Sequence, residues 1–400
     1  MKNLSEFSQK TLRKYGIINQ RDFYYLILII SILSCIGGLT ATFVNLDIHQ
    51  VPRFKGEITS WNFIMPCLGG FLGTFFFPRV HKFFSLKIIL RFSLIGILIN
   101  YVFMIFLMNS FFNFPIRFLT GFFYSPIFLA ISCLEAKIFG NSYRATLFGI
   151  VGVQIVLFSS LGSSLVDFFQ TSAIVFGIDI GGLLICLALL WKWKDLSEVQ
   201  SLKTDPSPKT PHPSYYKIFS LAPIICLSFF VVSSVDTGFG SYLAIFCEGL
   251  GLREGKAALV YSFSSLGGLA LMPIAGRVAD KWGYKKTFLL LSFLGLFGAA
   301  SSFFLTQLYT LAFAFFVASA AMQSFANLIS SWVARNYAGK TLSYGMSTFS
   351  LLGSTSSILS PLGIGFLMKT YGNDGFLYWA CGGLFTSVIL MIALNTRNAS

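Results

Sequence analysis

From Thr287 to Ala334 the chain runs without one charged residue, and the stretch from Ala257 to Gly276 is equally free of charge. Runs of this kind constrain the fold more than any other feature, because about 20 apolar residues suffice to cross a bilayer as a helix. The segment between the two runs, GRVADKWGYKKT from Gly276 to Thr287, is then read as a tight basic loop joining two membrane spans. Only 11% of the 400 residues are charged and 55% are hydrophobic, where soluble domains carry roughly a quarter charged residues. The bilayer is the solvent for which this composition is suited.

Apolar runs of spanning length with few or no charges, divided at internal polar breaks, number twelve. In the first half they fall near Phe23 to Leu46, Trp61 to Pro78, Leu86 to Met108, Phe112 to Glu135, Ala145 to Val166 and Ser172 to Trp193. In the second half they fall near Ile218 to Phe246, Ala257 to Gly276, Thr287 to Leu305, Leu308 to Ala334, Thr341 to Met368 and Gly375 to Asn395. The long run after Thr287 has to be cut, and Thr306-Gln307 is the natural place. The first run is too long for a signal-peptide core and has no small-residue cleavage site, so a retained helix is expected. Between the halves lies KDLSEVQSLKTDPSPKTPHPS, Lys194 to Ser214, whose four prolines mark a linker that neither spans nor packs.

The formal charge of +14 invites a nucleic-acid reading that its placement removes. With the amino terminus inside, 23 of the 29 Lys and Arg fall on the inner side and five on the outer, Arg117 standing within a span. This is the positive-inside bias of helical membrane proteins, and it puts both termini in the cytoplasm of a multi-pass inner-membrane protein. The halves also echo each other. His81-Lys82 through Lys87 aligns with Asp280-Lys281 through Lys286, and Arg144-Ala-Thr-Leu-Phe-Gly149 with Lys340-Thr-Leu-Ser-Tyr-Gly345, at nearly one offset. Tandem repeats about an axis along the membrane normal are a transporter architecture, with the solute site near the midplane.

The pattern Gly276-x-x-x-Asp280-Lys281-x-Gly283-x-Lys285-Lys286 resembles the loop signature of the major facilitator superfamily. The resemblance implies an all-α membrane protein of twelve transmembrane helices in two pseudo-symmetric halves: residues 1–193 with a cytoplasmic tail, a linker at 194–214, and residues 215–400. In the first half the positions of the first Gly, the Asp and the second Gly are taken by Phe77, His81 and Phe84, so Asp280 alone can do what the acidic residue does. Glu135 at the inner end of the fourth span and Arg144 opening the fifth match the family's charged network around this loop. A latch that holds the inner gate shut is the expectation, with Asp280 near the positive end of the fifth helix; simple topology charge is the plainer alternative.

Ionisable groups inside spans are costly and are functional candidates by default. Arg117, Gly121 and Tyr124 share one face of the fourth span, and Arg-x-x-x-Gly resembles the family's fourth-helix motif, whose arginine is associated with proton-coupled transport. Arg117 offers a forked cation to a carboxylate or phosphate; it is otherwise an arginine snorkelling to the surface. Pro126, between Arg117 and Glu135, is a place for a bend. Asp179 in the sixth span and Asp236 in the seventh are the deepest carboxylates of their halves and candidates for proton coupling. The Asp236-Thr-Gly-Phe-Gly240 sequence is a place for the helix to break, and Asp179 has the small residues Gly177, Gly181 and Gly182 for a purely structural role. Gln323 and Asn327 share a face of the tenth span, one of those that line the family's central cavity, although ordinary interhelical hydrogen bonds account for them as well.

Other chemistries lack their residues. The histidines lie outside the spans and the seven cysteines form no C-x-x-C pair, so no metal site, disulfide framework or cofactor is expected. Gly255-Lys256 and Gly339-Lys340-Thr341 lack the rest of a phosphate-binding loop, and no nucleophile and base set suggests an enzyme. The expected function is secondary active transport of a small organic solute by a monomer, driven by a proton or other ion gradient. An anionic metabolite or chelate and multidrug efflux remain as solute classes. A non-transporting sensor or scaffold is the alternative outside transport.

Overall fold

The computed structural model describes residues 17, 20–50, 57–107, 110–169, 171–193, 214–252, 254–305 and 307–396. The linker expected at 194–214 lies almost wholly outside the described residues, as do the basic amino-terminal tail, Arg53, Lys55 and Arg253. Among the described residues twelve helices have 18 residues or more: α1 Gln20–Gln50, α2 Glu57–His81, α3 Leu86–Leu107, α4 Asn113–Ile138, α5 Arg144–Ser164, α6 Ser172–Lys192, α7 Pro223–Gly249, α8 Glu254–Trp282, α9 Tyr284–Ser301, α10 Leu308–Asn336, α11 Gly339–Tyr371 and α12 Asp374–Thr396. A seven-residue helix, Tyr215–Leu221, precedes α7. Among the described residues ten helices are long and apolar enough to cross a membrane, α2 and α9 being the exceptions.

Every long apolar run became a helix because backbone N–H and C=O groups in hydrocarbon must pair within their own segment. The same pressure carries helices through their prolines: Pro66 and Pro78 in α2, Pro126 in α4, Pro273 in α8 and Pro361 in α11 end none of them. Pro223 instead stands at the start of α7, where its missing N–H costs nothing. The helix break expected near Asp236 is absent, since α7 is continuous from Pro223 to Gly249. A Cβ at Gly238 would overlap Ile364 of α11, so that glycine serves close helix packing and leaves the backbone regular.

The chain forms two compact units, 1–142 with 154–214 and 337–347, and 143–153 with 215–336 and 348–400. The first turns of α5 thus group with the second unit and those of α11 with the first. These are the segments that align in the internal repeat, Arg144 to Gly149 and Lys340 to Gly345. In the first unit α4 packs on α1, α2 and α3, and α6 packs on α1 and α3. In the second, α10 packs on α7, α8 and α9, and α12 packs on α7 and α9. Each of these pairings recurs six helices later, the structural signature of a duplication.

The close packing rests on small residues, as expected where lipid gives helices no hydrophobic drive to associate. A Cβ at Gly69 of α2 would overlap the Phe118 carbonyl, and one at Gly121 of α4 the Pro66 carbonyl, so α2 and α4 touch backbone to backbone. Phenylalanine is not only lipid-facing bulk. Phe106, Phe297 and Phe304 are exposed, yet Phe239, Phe246, Phe315 and Phe376 form a buried cluster joining α7, α10 and α12.

Candidate functional site

The basic segment Gly276 to Thr287 is far more regular than a loop. Its first seven residues are the last turns of α8, Tyr284 opens α9, and only Gly283 lies between the two helices. Gly283 has φ 88° and ψ 155°, a conformation essentially reserved for glycine. A Cβ at Gly276 would overlap the Ala145 carbonyl, so this glycine lets α8 meet the start of α5. One turn later Asp280 reaches the α5 terminus. Its Oδ1 accepts the Ala145 N–H at 3.1 Å, and its Oδ2 accepts the Thr146 N–H at 2.9 Å and the Thr146 hydroxyl at 2.7 Å. These amides are among the unpaired donors of a helix's first turn, and a carboxylate there also meets the positive end of the helix dipole.

Arg144 does the complementary work. Its Nη1 donates to the Ala334 carbonyl at 2.5 Å, in the last turn of α10, where helix carbonyls lack partners and a cation is favoured. Tyr284 donates to or accepts from Ser331 at 2.7 Å, and the Arg335 guanidinium stands 5.7 Å from the Tyr284 ring centroid. Asp280, Arg144, Tyr284 and Arg335 therefore form one electrostatic group within the second unit. Lys281 and Lys286 are exposed and Lys285 is half-buried. Glu135 belongs to the first unit, where it is 3% exposed near the end of α4.

Along α4, Arg117 lies beside Cys67 of α2, one turn before the Gly121 contact with Pro66. The Arg117 Nη1 is sealed from solvent and has no hydrogen-bond partner among the described residues. Tyr124, two turns from Arg117, donates its hydroxyl to the Leu33 carbonyl of α1 at 3.1 Å. One face of α4 thus touches α2 through Arg117 and Gly121, and α1 through Tyr124.

Asp179 is 0% exposed and points into the first unit; of the neighbouring glycines, a Cβ at Gly177 or Gly181 would meet nothing within 4 Å, whereas one at Gly182 would overlap Ile36 of α1. Its Oδ2 accepts the Thr40 hydroxyl of α1, and Tyr101 of α3 stands beside Thr40. Sequence reasoning alone misses Thr40 and Tyr101. The available signal is modest: polar atoms in otherwise apolar runs, 139 residues and 78 residues from Asp179. Asp236 is half-buried on α7, with Tyr261 of α8 in electrostatic range. Asn327 donates to the Phe148 carbonyl of α5 at 3.0 Å, and the Gln323 Oε1 lies against Gly268 of α8, buried and without a hydrogen-bond partner among the described residues. Asn327 is thus held as an interhelical tie.

A family model described as the Major Facilitator Superfamily matches residues 23–308 and 225–399. Among solved structures, the human organic anion transporter MFSD10 (TETRAN) aligns over 93% of this chain and 99% of its own, with a TM-score of 0.71 and 14% identity. The major facilitator transporter FucP, in its outward conformation, aligns over 93% of this chain and 98% of its own, with a TM-score of 0.75 and 13% identity. Likeness at such identities is likeness of fold. No curated protein matches the chain.

Proposed function

Because the chain belongs to the major facilitator superfamily and is a multi-pass membrane transporter by that membership, we propose that it carries a small organic anion by alternating access, driven by a proton gradient. The observation that carries the anion is Arg117. Its Nη1 is buried in a span with no acceptor among the described residues, and a buried charged donor left unmet is costly until an acceptor arrives. The guanidinium fork matches a carboxylate or phosphate. That a structural neighbour is described as an organic anion transporter agrees with this solute class.

The two helix caps are the gating parts of the proposal. Asp280 holds the start of α5 to the Gly276–Lys286 segment and Arg144 ties α5 to the end of α10, with Lys281, Lys285 and Lys286 keeping the segment at the cytoplasmic surface; Glu135, in the first unit, is a further gating charge. Asp179 and Asp236 are the coupling carboxylates; Tyr124, Gln323 and Asn327 shape the solute path. The protein acts as a monomer in the inner membrane with both termini cytoplasmic, a topology supported by its Lys and Arg distribution.

The test is thermal stabilisation of purified protein by a solute panel at two pH values, wild type against Arg117→Ala. A ligand at 100 times its Kd adds about 2.7 kcal/mol to the folded state. Stabilisation by anionic metabolites that Arg117→Ala abolishes is the expected result. Stabilisation only by cationic or neutral amphiphiles, equal in the variant, overturns the anion assignment.

A further inference from the structure

Asp179 sits in a setting unlike that of any other candidate carboxylate. It is 0% exposed, one of its oxygens is held, and the other is empty: Oδ2 accepts the Thr40 hydroxyl, while Oδ1 has neither solvent nor a hydrogen-bond partner among the described residues. A threonine hydroxyl has a single hydrogen. Thr40 gives it to Asp179, and Tyr101 of α3 stands beside Thr40. The result is a directed bond from α1 to α6, Thr40 to Asp179, with α3 alongside.

The groups that face Asp179 from each packed helix are Thr40 and Cys35 of α1, Tyr101 of α3 and Tyr124 of α4. None is a cation, and Tyr124 has already given its hydrogen to Leu33. A carboxylate buried in this way has to be neutralised by something it binds. On the reading of the chain as an ion-coupled carrier, we propose that the coupling proton binds Oδ1 of Asp179, inside the first unit, while Thr40 holds Oδ2 fixed.

Binding at Oδ1 leaves the bond to Oδ2 intact, because the carbonyl oxygen of the neutral acid accepts from Thr40 as the carboxylate does. The site gains and loses its proton without breaking the Thr40 bond. It also separates proton from solute. Arg117 faces Cys67 of α2, whereas Asp179 is tied to α1, so the two ligands share no residue. Their link is α4, which meets α2 at Gly121 and holds α1 through Tyr124 and Leu33, two turns before Thr40. Proton and solute are coupled by the packing of α1 on α4 and α6, not by competition for one side chain.

The experiment is an infrared pH titration of the purified protein in lipid nanodiscs without solute. It follows the C=O stretch of protonated carboxyl groups in wild type, Asp179→Asn, Thr40→Val, Tyr101→Phe, Asp236→Asn and Glu135→Gln. The expected result is a band that grows as pH falls, is lost in Asp179→Asn, persists in Asp236→Asn and Glu135→Gln, and moves in frequency in Thr40→Val as the bond to Oδ2 is lost. The proposal is overturned if Asp179→Asn keeps every titrating carboxyl band, or if sodium at fixed pH removes the band as a rise in pH does. Should Asp179→Asn fail to fold, a titrating band that moves in neither Thr40→Val nor Tyr101→Phe overturns it equally. The anion reading fails separately: a silent solute panel beside an intact Asp179 band refutes the solute class alone, and a responsive panel without the band refutes the proton site alone.

Discussion

Replacing Asp280 with alanine removes three hydrogen bonds from the start of α5, at 3.1, 2.9 and 2.7 Å, two of them to backbone amides that no helix satisfies internally. Loss of a side-chain cap at a helix N-terminus costs about 1 kcal/mol, with a range of about 0.5 to 2. Loss of the negative charge at the positive end of the dipole adds about 0.3 to 1 kcal/mol. Asp280 is half-exposed, so water partly replaces it, and about 2 kcal/mol is the expected total. At 1.36 kcal/mol per tenfold, the first turn of α5 then opens about 30 times more often. Amide hydrogen exchange of the peptide spanning Arg144 to Ile150 reads this directly, since exchange follows local opening. Asp280→Asn keeps one carbonyl acceptor and loses the charge, so about 1 kcal/mol and about a fivefold acceleration are expected. Unchanged exchange in Asp280→Ala, with the rest of the protein folded, would refute the capping argument and with it the latch.

Two further outcomes follow from the geometry. Gly283→Ala introduces a Cβ into open space, so its cost is purely that of a non-glycine residue at φ 88° and ψ 155°, about 1 to 3 kcal/mol; a thermal unfolding midpoint equal to wild type contradicts it. Ser387→Ala removes the hub of a buried hydroxyl network, 2.6 Å from Ser228 and 2.8 Å from Ser292. Bonds of this kind between membrane helices average about 0.6 kcal/mol, so unfolding in mixed micelles should show a loss of about 1 kcal/mol, twice that of Ser228→Ala, and equal losses would show that the network does not act through Ser387.

The twelve helices were legible because soluble folds rarely leave a spanning length of chain without charge. Even the division of the long run came out where Thr306-Gln307 suggested: α9 ends at Ser301 and α10 begins at Leu308. Helix ends were less legible. The α1 helix runs to Gln50 and α8 to Trp282, past the apolar limits read from composition, because a helix continues as long as its backbone bonds do, even in polar sequence. The glycines near Asp236 misled for a related reason: glycine permits a break, but in hydrocarbon an unpaired backbone costs more than glycine's flexibility saves.

Local motifs and long-range partners differ in the same way. The spacing of Gly276, Asp280 and Gly283 marks a specific turn, and each residue has its own part in it. Gly276 admits α5, Asp280 caps it, and Gly283 makes the break between helices. Nothing in sequence pairs Thr40 with Asp179 or Lys87 with Trp193. Lys87 is 3% exposed and donates to the Trp193 carbonyl at 3.3 Å, while the Trp193 indole donates to Asp22 at 2.7 Å, so three chain-distant residues tie the ends of α1, α3 and α6. Such ties depend on which helices become neighbours, and that is decided by packing over whole helix faces.

The most direct test of the account is uptake of the most stabilising anion into proteoliposomes, with and without a pH gradient, by wild type and Arg117→Ala. Accumulation that the gradient drives, and that disappears in Arg117→Ala, is predicted. Uptake no greater than in protein-free vesicles, or equal uptake by wild type and Arg117→Ala, would contradict the central claim that this chain is a carrier that recognises an organic anion through Arg117.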